Sequence, residues 1–308
     1  MQKNYSLTIL GLIVDKIENS FLSTQRIATS LANNFKKYKN IELKLVNIDI
    51  EFINDNNLAK EFLKHKILET DFLLIHTDLP KIIENINVIK NRIKYKICNF
   101  MEDKQNLDMS FGYIRKIKPS FYISYPCDKN ILIKKIKKKN SVLLDNKYGE
   151  YDISEDLIKW SKKLISKGFE FYQLTKDCKK KYDYIKPIYM SNYSTYLEST
   201  SEIENFVLTH PGSYEHSIVD MYARGINVLI PNNQNNFMWP DRSTFFAKKE
   251  IVDDLNLYTF SNEEDYINIL TNKKENVFNY HLITDMEDVV KFMNEIFIKT
   301  KEKHDSIF

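Results

Sequence analysis

Three observations predict an α/β fold of two domains, each a parallel sheet with crossover helices. Short apolar, β-branched runs alternate with longer segments of helical period, and that alternation restarts near the middle of the chain. The 308 residues also suffice for two cores of ordinary size. In the first half, strands are expected at 7–14, 41–48, 72–76, 95–100 and 121–124, with helices at 24–38, 57–69 and 81–92. The second series opens at "NSVLLDNKYGEYDISEDLIKWSKKLISKGFEFYQL", read as a strand at 142–144, a loop with Gly149, a helix, and a strand at 169–174. Ser154 caps that helix, acidic residues fill its first turn, and Gly168 closes it. The boundary therefore falls near 139–141, giving domains 1–140 and 141–308. No short period repeats along the chain, which disfavours a solenoid.

Apolar residues at 43% and charged residues at 28% exclude a disordered chain. A formal charge of +3 is too small for a nucleic-acid partner unless the positive groups cluster. One cluster exists: "KNILIKKIKKK", Lys129 to Lys139, holds six lysines, with Arg115, Lys116 and Lys118 shortly before it. Lysine, isoleucine and asparagine are abundant throughout, so the plain reading is a solvated helix face. The functional alternative is a peripheral contact with anionic lipid on the inner face of a membrane. Cys98, Cys127 and Cys178 are widely spaced and lack metal-ligand spacing, so neither a disulfide frame nor a zinc site is expected, and a reducing cytoplasm fits. The apolar stretch in "MQKNYSLTILGLIVDK" is soon followed by Asp15 and has no cleavage site, which reads as a buried strand rather than a signal peptide.

The richest segment is "FVLTHPGSYEHSIVDMYARGINVLIP", Phe206 to Pro231. It reads as a βαβ unit: strand 206–208, a tight loop from His210 to Tyr214, helix 215–223, Gly225 as a left-handed cap, and strand 228–230. Gly212 lets the backbone turn and approach a ligand. Amides at the helix start, near 215–217, have no partner within the helix and point out of the sheet's carboxyl edge, where an anion fits. The hydroxyls of Ser213 and Ser217 add donors, and Asp220, one turn after Ser217, is placed to accept from a ribose hydroxyl. The chain has neither GxxxxGK[ST] nor GxGxxG, which disfavours kinase-like and dinucleotide readings. The bland alternative is that Gly212 and Gly225 are only a turn and a cap.

"THPGSYEHSIVDMYARGINVLIP" resembles the nucleotide-binding βαβ unit in the C-terminal domain of GT-B glycosyltransferases, and the series from "VLLDNKYG" onward resembles the rest of such a domain. The resemblance covers roughly residues 141–295 and implies two Rossmann-like domains facing each other across a cleft. It implies that Gly212, Ser213 and Ser217 with their amides hold the donor phosphates, that His210 and Tyr214 belong to the same nucleotide-sugar site, that Asp220 holds the ribose, and that Lys147 reaches the diphosphate. It also places Tyr189 and Met190 of "PIYMSNY" at the base, and Gln234, Asn235 and Asn236 of "PNNQNN" at the donor sugar. Two departures stand out. Most members carry Glu where this chain has Asp220. The acidic pair spaced eight apart in many retaining members is absent, since Gly212 lies eight before Asp220, which favours inversion.

An inverting transfer needs a base for the acceptor hydroxyl and stabilisation of the departing phosphate. Asp15, after the first strand, is the first choice; His76 and Asp78 in "LLIHTDLP" and Glu102 are rivals. Each of these also fits a cap or a loop solvator. His210 either stabilises the leaving phosphate or fixes its loop. Ser23 and Thr24 in "NSFLSTQR" could touch an acceptor or simply cap a helix, and Trp239 and Arg242 in "FMWPDRSTFF" could close over the sugar or pack inward. "DIE", Asp49 to Glu51, has metal-binding spacing that arises easily by chance, so no metal and no cofactor beyond the nucleotide sugar itself is expected. The expected activity is transfer of a sugar to a cell-surface glycan or lipid-linked acceptor. The alternatives are an epimerase or hydrolase on the same fold, or a catalytically silent nucleotide-binding scaffold.

Overall fold

A computed structural model of the chain describes residues 4–20, 22–48, 55–77, 79–100, 107–112, 120–123, 126–128, 135–145, 153–175, 182–209, 216–231, 257–273 and 284–307. It separates into two units, Met1–Asp128 with Thr284–Phe308, and Lys129–Ile283.

In the first unit the strands β1 (Tyr5–Gly11), β2 (Ile41–Asn47), β3 (Thr70–His76), β4 (Ile93–Phe100), β5 (Met109–Gly112) and β6 (Phe121–Tyr122) form one parallel sheet in the order β2-β1-β3-β4-β5-β6. Helices α1 (Ser23–Phe35), α2 (Asn56–Lys66) and α3 (Pro80–Glu84) make the crossovers. β1 and β3 are almost wholly buried, as strands covered on both faces must be. Asp55 starts α2 by accepting from the amides of Asn57 at 2.7 Å and Leu58 at 3.2 Å. The helix expected over 81–92 is not continuous: α3 ends at Glu84 and a 3-10 segment, Ile86–Arg92, follows. The reason lies at Asn85, whose side-chain amide donates to the Lys81 carbonyl at 2.8 Å and takes the acceptor that the next helical turn would use.

In the second unit β8 (Ser141–Asp145), β9 (Glu170–Thr175), β10 (Ile185–Tyr189), β11 (Asn205–Leu208), β12 (Asn227–Pro231) and β13 (Leu257–Phe260) also run parallel, in the order β10-β9-β8-β11-β12-β13. Helices α4 (Glu155–Ile165), α5 (Tyr193–Ser199), α6 (His216–Ala223) and α7 (Glu263–Asn272) accompany them. Ser154 caps α4 as expected, accepting from the Leu157 amide at 3.2 Å. α6 ends in a Schellman motif. The Ile226 amide donates to the Met221 carbonyl and the Gly225 amide to the Tyr222 carbonyl, both at 3.0 Å, with Gly225 at φ +70°. From Ile218 to Ile226 this segment is buried throughout, so α6 is an interior element rather than a surface crossover.

The chain then returns to the first unit. Thr284–Asp285 (β14) pairs in parallel with Pro126–Cys127 (β7), and α8 (Met286–Asp305) follows. Met286, Val289, Val290, Met293, Asn294 and Phe297 line one buried stripe of α8. Its apolar members share a core with Tyr5, Leu7, Phe35 and Phe72. This differs from the expected division at 140/141 in two ways: residues 284–308 belong with the first unit, and the second begins at Lys129. Burial of the α8 stripe against β1, β3 and α1 is the physical reason. Where it is described, at 135–138, the lysine-rich segment has no helical structure, so the expected helix face is not formed there. Lys138 instead pairs with Glu170 at 2.8 Å and Lys135 with Glu202 at 3.9 Å.

Candidate functional site

A ligand site in an open parallel sheet lies at the strands' carboxyl ends, where the strand order reverses. In the second unit that reversal falls between β8 and β11, because β9 and β10 build outward on one side of β8 and the chain then crosses to β11 on the other. Asp145 ends β8 there. Its backbone carbonyl accepts from the Thr209 amide at 3.0 Å and the Thr209 hydroxyl at 2.8 Å, pinning the exit of β11 to the exit of β8. Its carboxylate accepts from the Ser217 hydroxyl at 3.3 Å. Asp145, Thr209 and the first turn of α6 therefore converge on the reversal point. The amides of that first turn are among those a helix cannot satisfy internally, and the helix dipole favours negative charge beside them.

Ser217 thus sits where the sequence places it, but its hydroxyl is committed to Asp145. An anion at this helix start would be held by backbone amides rather than by that side chain. Asp220 lies deeper, 1% exposed, and its Oδ2 accepts from the Tyr193 hydroxyl at 2.8 Å. Tyr193 opens α5, whose N-cap Asn192 accepts from the Thr195 amide at 2.9 Å. Tyr189 ends β10 and is 48% exposed, whereas Met190 beside it is buried. β10 is two strands from β8, so these residues stand about 10 Å along the sheet edge from the reversal point.

Asp145 and Tyr193 escaped the sequence reading. A signal for Asp145 was present, since it is a carboxylate just after the first strand of a series, the same rule that selected Asp15. Nothing local signals the bond from Tyr193 to Asp220, which joins residues 27 positions apart. His210, Gly212, Ser213, Tyr214, Lys147, Gln234, Asn235 and Asn236 lie outside the described residues, as do Asp49, Glu51, Asp78, Glu102, Trp239 and Arg242.

In the first unit the order reverses between β1 and β3. Gly11 ends β1 opposite His76 in the register, and a Cβ on Gly11 would stand 2.8 Å from the His76 carbonyl oxygen and 3.0 Å from Ala28 Cβ. Glycine is needed there for close approach. His76 is buried, and its Nδ1 faces the Phe100 carbonyl oxygen. A carbonyl only accepts, so Nδ1 carries a proton and Nε2 is the basic nitrogen of the neutral ring. The loop after β1 is tethered by Asn47 Oδ1, which accepts from the Ile13 amide at 2.9 Å, and Thr29 Oγ1, which accepts from the Val14 amide at 3.0 Å. Asp15 follows these tethers with its side chain exposed. Both candidate bases therefore belong to the same sheet edge, one buried and one solvated. Among the described residues no group of three or more His, Cys, Asp or Glu side chains is arranged to hold a metal ion, and no helix is long and apolar enough to cross a membrane.

No family model and no curated protein matches the sequence. Solved structures do match. UDP-GlcNAc 2-epimerase from Neisseria meningitidis, solved with UDP-GlcNAc bound, aligns with TM-score 0.58 at 10% identity, over 96% of this chain and 99% of that one. The S. aureus MnaA-UDP co-structure aligns with TM-score 0.58 at 11% identity, over 97% and 98%. A glycosyltransferase from Rickettsia africae aligns with TM-score 0.52 at 9% identity, over 98% of each chain. Coverage of nearly the whole length on both sides, together with two parallel sheets built by βαβ crossovers, identifies the architecture: this chain has the GT-B fold that glycosyltransferases and UDP-GlcNAc 2-epimerases share.

Proposed function

We propose that the protein is an enzyme acting on a nucleotide sugar, and that it transfers the sugar with inversion, without a metal, to a glycan or lipid-linked acceptor. The observation that supports this most directly is the convergence of Asp145, Thr209 and the start of α6 on the reversal point between β8 and β11. Amides and helix dipole there would hold the diphosphate and stabilise the charge that develops as it departs. Asp220 would take the ribose, oriented by Tyr193, and Tyr189 with Met190 would lie against the base. Lys147, His210, Gly212, Ser213, Tyr214, Gln234, Asn235 and Asn236 complete the donor site in this reading. Asp15 is the proposed base for the acceptor hydroxyl, with His76 as its rival. The test is thermal stabilisation by UDP, GDP, CDP, CMP and dTDP, followed by turnover of the matching nucleotide sugar. At a hundredfold excess over its dissociation constant the cognate nucleotide should add about 2.7 kcal/mol. Asp15→Ala should abolish turnover and keep that stabilisation. Absence of a shift with every nucleotide would overturn the reading.

One observation favours a second reading, epimerisation of the nucleotide sugar. The Asp145 carboxylate stands beside the helix start itself, where it could exchange a proton with the bound sugar. Incubation in deuterated water without any acceptor separates the two: an epimerase returns sugar carrying solvent deuterium, and a transferase does not.

A further inference from the structure

The first sheet ends on one side at β2, beyond which no further strand pairs among the described residues. β2 matches β1 residue for residue from Ile41 to Asn47, without a bulge. Just outside that run the Asn40 carbonyl accepts from the Asn4 amide at 2.8 Å, and the Ile48 amide donates to the Gly11 carbonyl at 3.0 Å. Even-numbered residues of this segment therefore turn their backbone groups toward β1, and Leu43 and Leu45 turn theirs outward. Ile41 agrees, because its amide donates to the Tyr38 carbonyl at 3.2 Å and not to β1. An edge of this kind is a template for another strand. The other sheet ends offer less: β6 has two residues and β13 four, and β10 carries Pro187, which has no N–H to give.

The side chains of β2 select which strand would fit. Glu42 and Lys44 both reach solvent and stand 4.0 Å apart. A second copy of β2 laid antiparallel must pair outward residues with outward residues, so the two-fold axis passes through a residue and charge decides which one. With the axis at Leu43, Leu43 meets its own copy and Ile41 meets the partner's Leu45 as hydrogen-bonded pairs. Glu42 then faces the partner's Lys44 on either side of the axis, as non-hydrogen-bonded pairs with Cα atoms roughly 4.5 Å apart. With the axis at Glu42 or Lys44, two like charges meet on it. With the axis at Leu45, Lys44 meets Val46 and Glu42 meets Ile48, and neither charge is answered.

We propose that the protein forms a two-fold dimer in which β2 pairs antiparallel with β2 of a second copy about Leu43, joining the two first sheets into one. The interface is isologous, so each copy supplies the same edge and the same two charges. Leu43 and Leu45, which pack only partly buried against the first core, are covered further by the pairing.

Sedimentation velocity over a concentration series at low ionic strength compares wild type, Glu42→Lys, Lys44→Glu and the double variant. Both side chains reach solvent, so all four chains should fold. Wild type and the double variant should dimerise, and each single reversal should raise the dimer dissociation constant at least tenfold, since like charges then face each other across the axis. An equimolar mixture of the two single variants should give a mixed dimer in native mass spectrometry. Mixing cannot rebuild the ion pair within either chain, so the mixed dimer reports pairing between chains. In wild type the Leu43 and Leu45 amides should exchange more slowly with solvent as concentration rises, while those of Lys44 and Val46, already turned to β1, should not change. A monomer at every concentration would overturn the proposal. So would a dimer indifferent to both reversals, or a mixture of the single variants that yields no mixed dimer.

Discussion

The Tyr193 hydroxyl donates to Asp220 Oδ2 at 2.8 Å, tying the first residue of α5 to the buried middle of α6. A hydrogen bond to a buried carboxylate contributes about 1.5 to 3 kcal/mol. Tyr193→Phe should therefore lower unfolding stability by that amount in urea titration. If Asp220 also holds a ribose, the variant should weaken binding of a nucleoside diphosphate while leaving binding of inorganic pyrophosphate unchanged. Equal loss for both ligands would make Tyr193 a structural residue only.

Phe297 of α8 stacks on Phe72 with centroids 4.7 Å apart and meets Phe35, Tyr5 and Phe111 at 6.2, 5.8 and 5.9 Å. Phe297→Ala should cost about 3 to 5 kcal/mol, the range for a fully buried aromatic truncated to alanine. Hydrogen exchange should show the loss in the amides of β1 and β3 while those of β8 and β11 keep their protection. Uniform loss across both sheets would contradict the placement of α8 in the first unit's core.

Lys137 gives a pH dependence whose sign follows from burial, which disfavours its charged form, and from the nearby Arg224 guanidinium. Its ammonium is lowered from 10.5 to about 7 in the folded protein. Between those values the unfolded chain holds the proton and the folded chain does not, so stability rises with pH across that window and is lowest below it. The urea midpoint of wild type should climb relative to that of Lys137→Met between pH 7 and pH 9. Parallel midpoints would show that the ammonium is not strained.

Much of this was legible in advance because it rests on local chemistry. Gly225 and Gly168 end helices with φ of +70° and +84°, and Ser154 caps α4, all signals that operate within a few residues. Asn85 is also local, but its back-bond to Lys81 is a competition whose winner depends on packing, so periodicity overran it. The stripe Met286, Val289, Val290, Met293, Phe297 announces an amphipathic helix without naming its partner. Nothing within those residues distinguishes the core of the first sheet from that of the second. The same holds at the site. Ser217 and Asp220 could be found by spacing, but their bonds to Asp145 and Tyr193 run between strands and helices that only the folded chain brings together.

The return of α8 fixes an order of events during synthesis. The second unit, Lys129–Ile283, is complete once residue 283 has left the ribosome. The first unit begins earlier yet lacks one wall of its core, Met286 to Phe297, until α8 emerges. Its nascent sheet must therefore wait with Tyr5, Phe35 and Phe72 uncovered while a later-made neighbour folds. That interval, and not the finished protein, is when a chaperone would find the most apolar surface to hold.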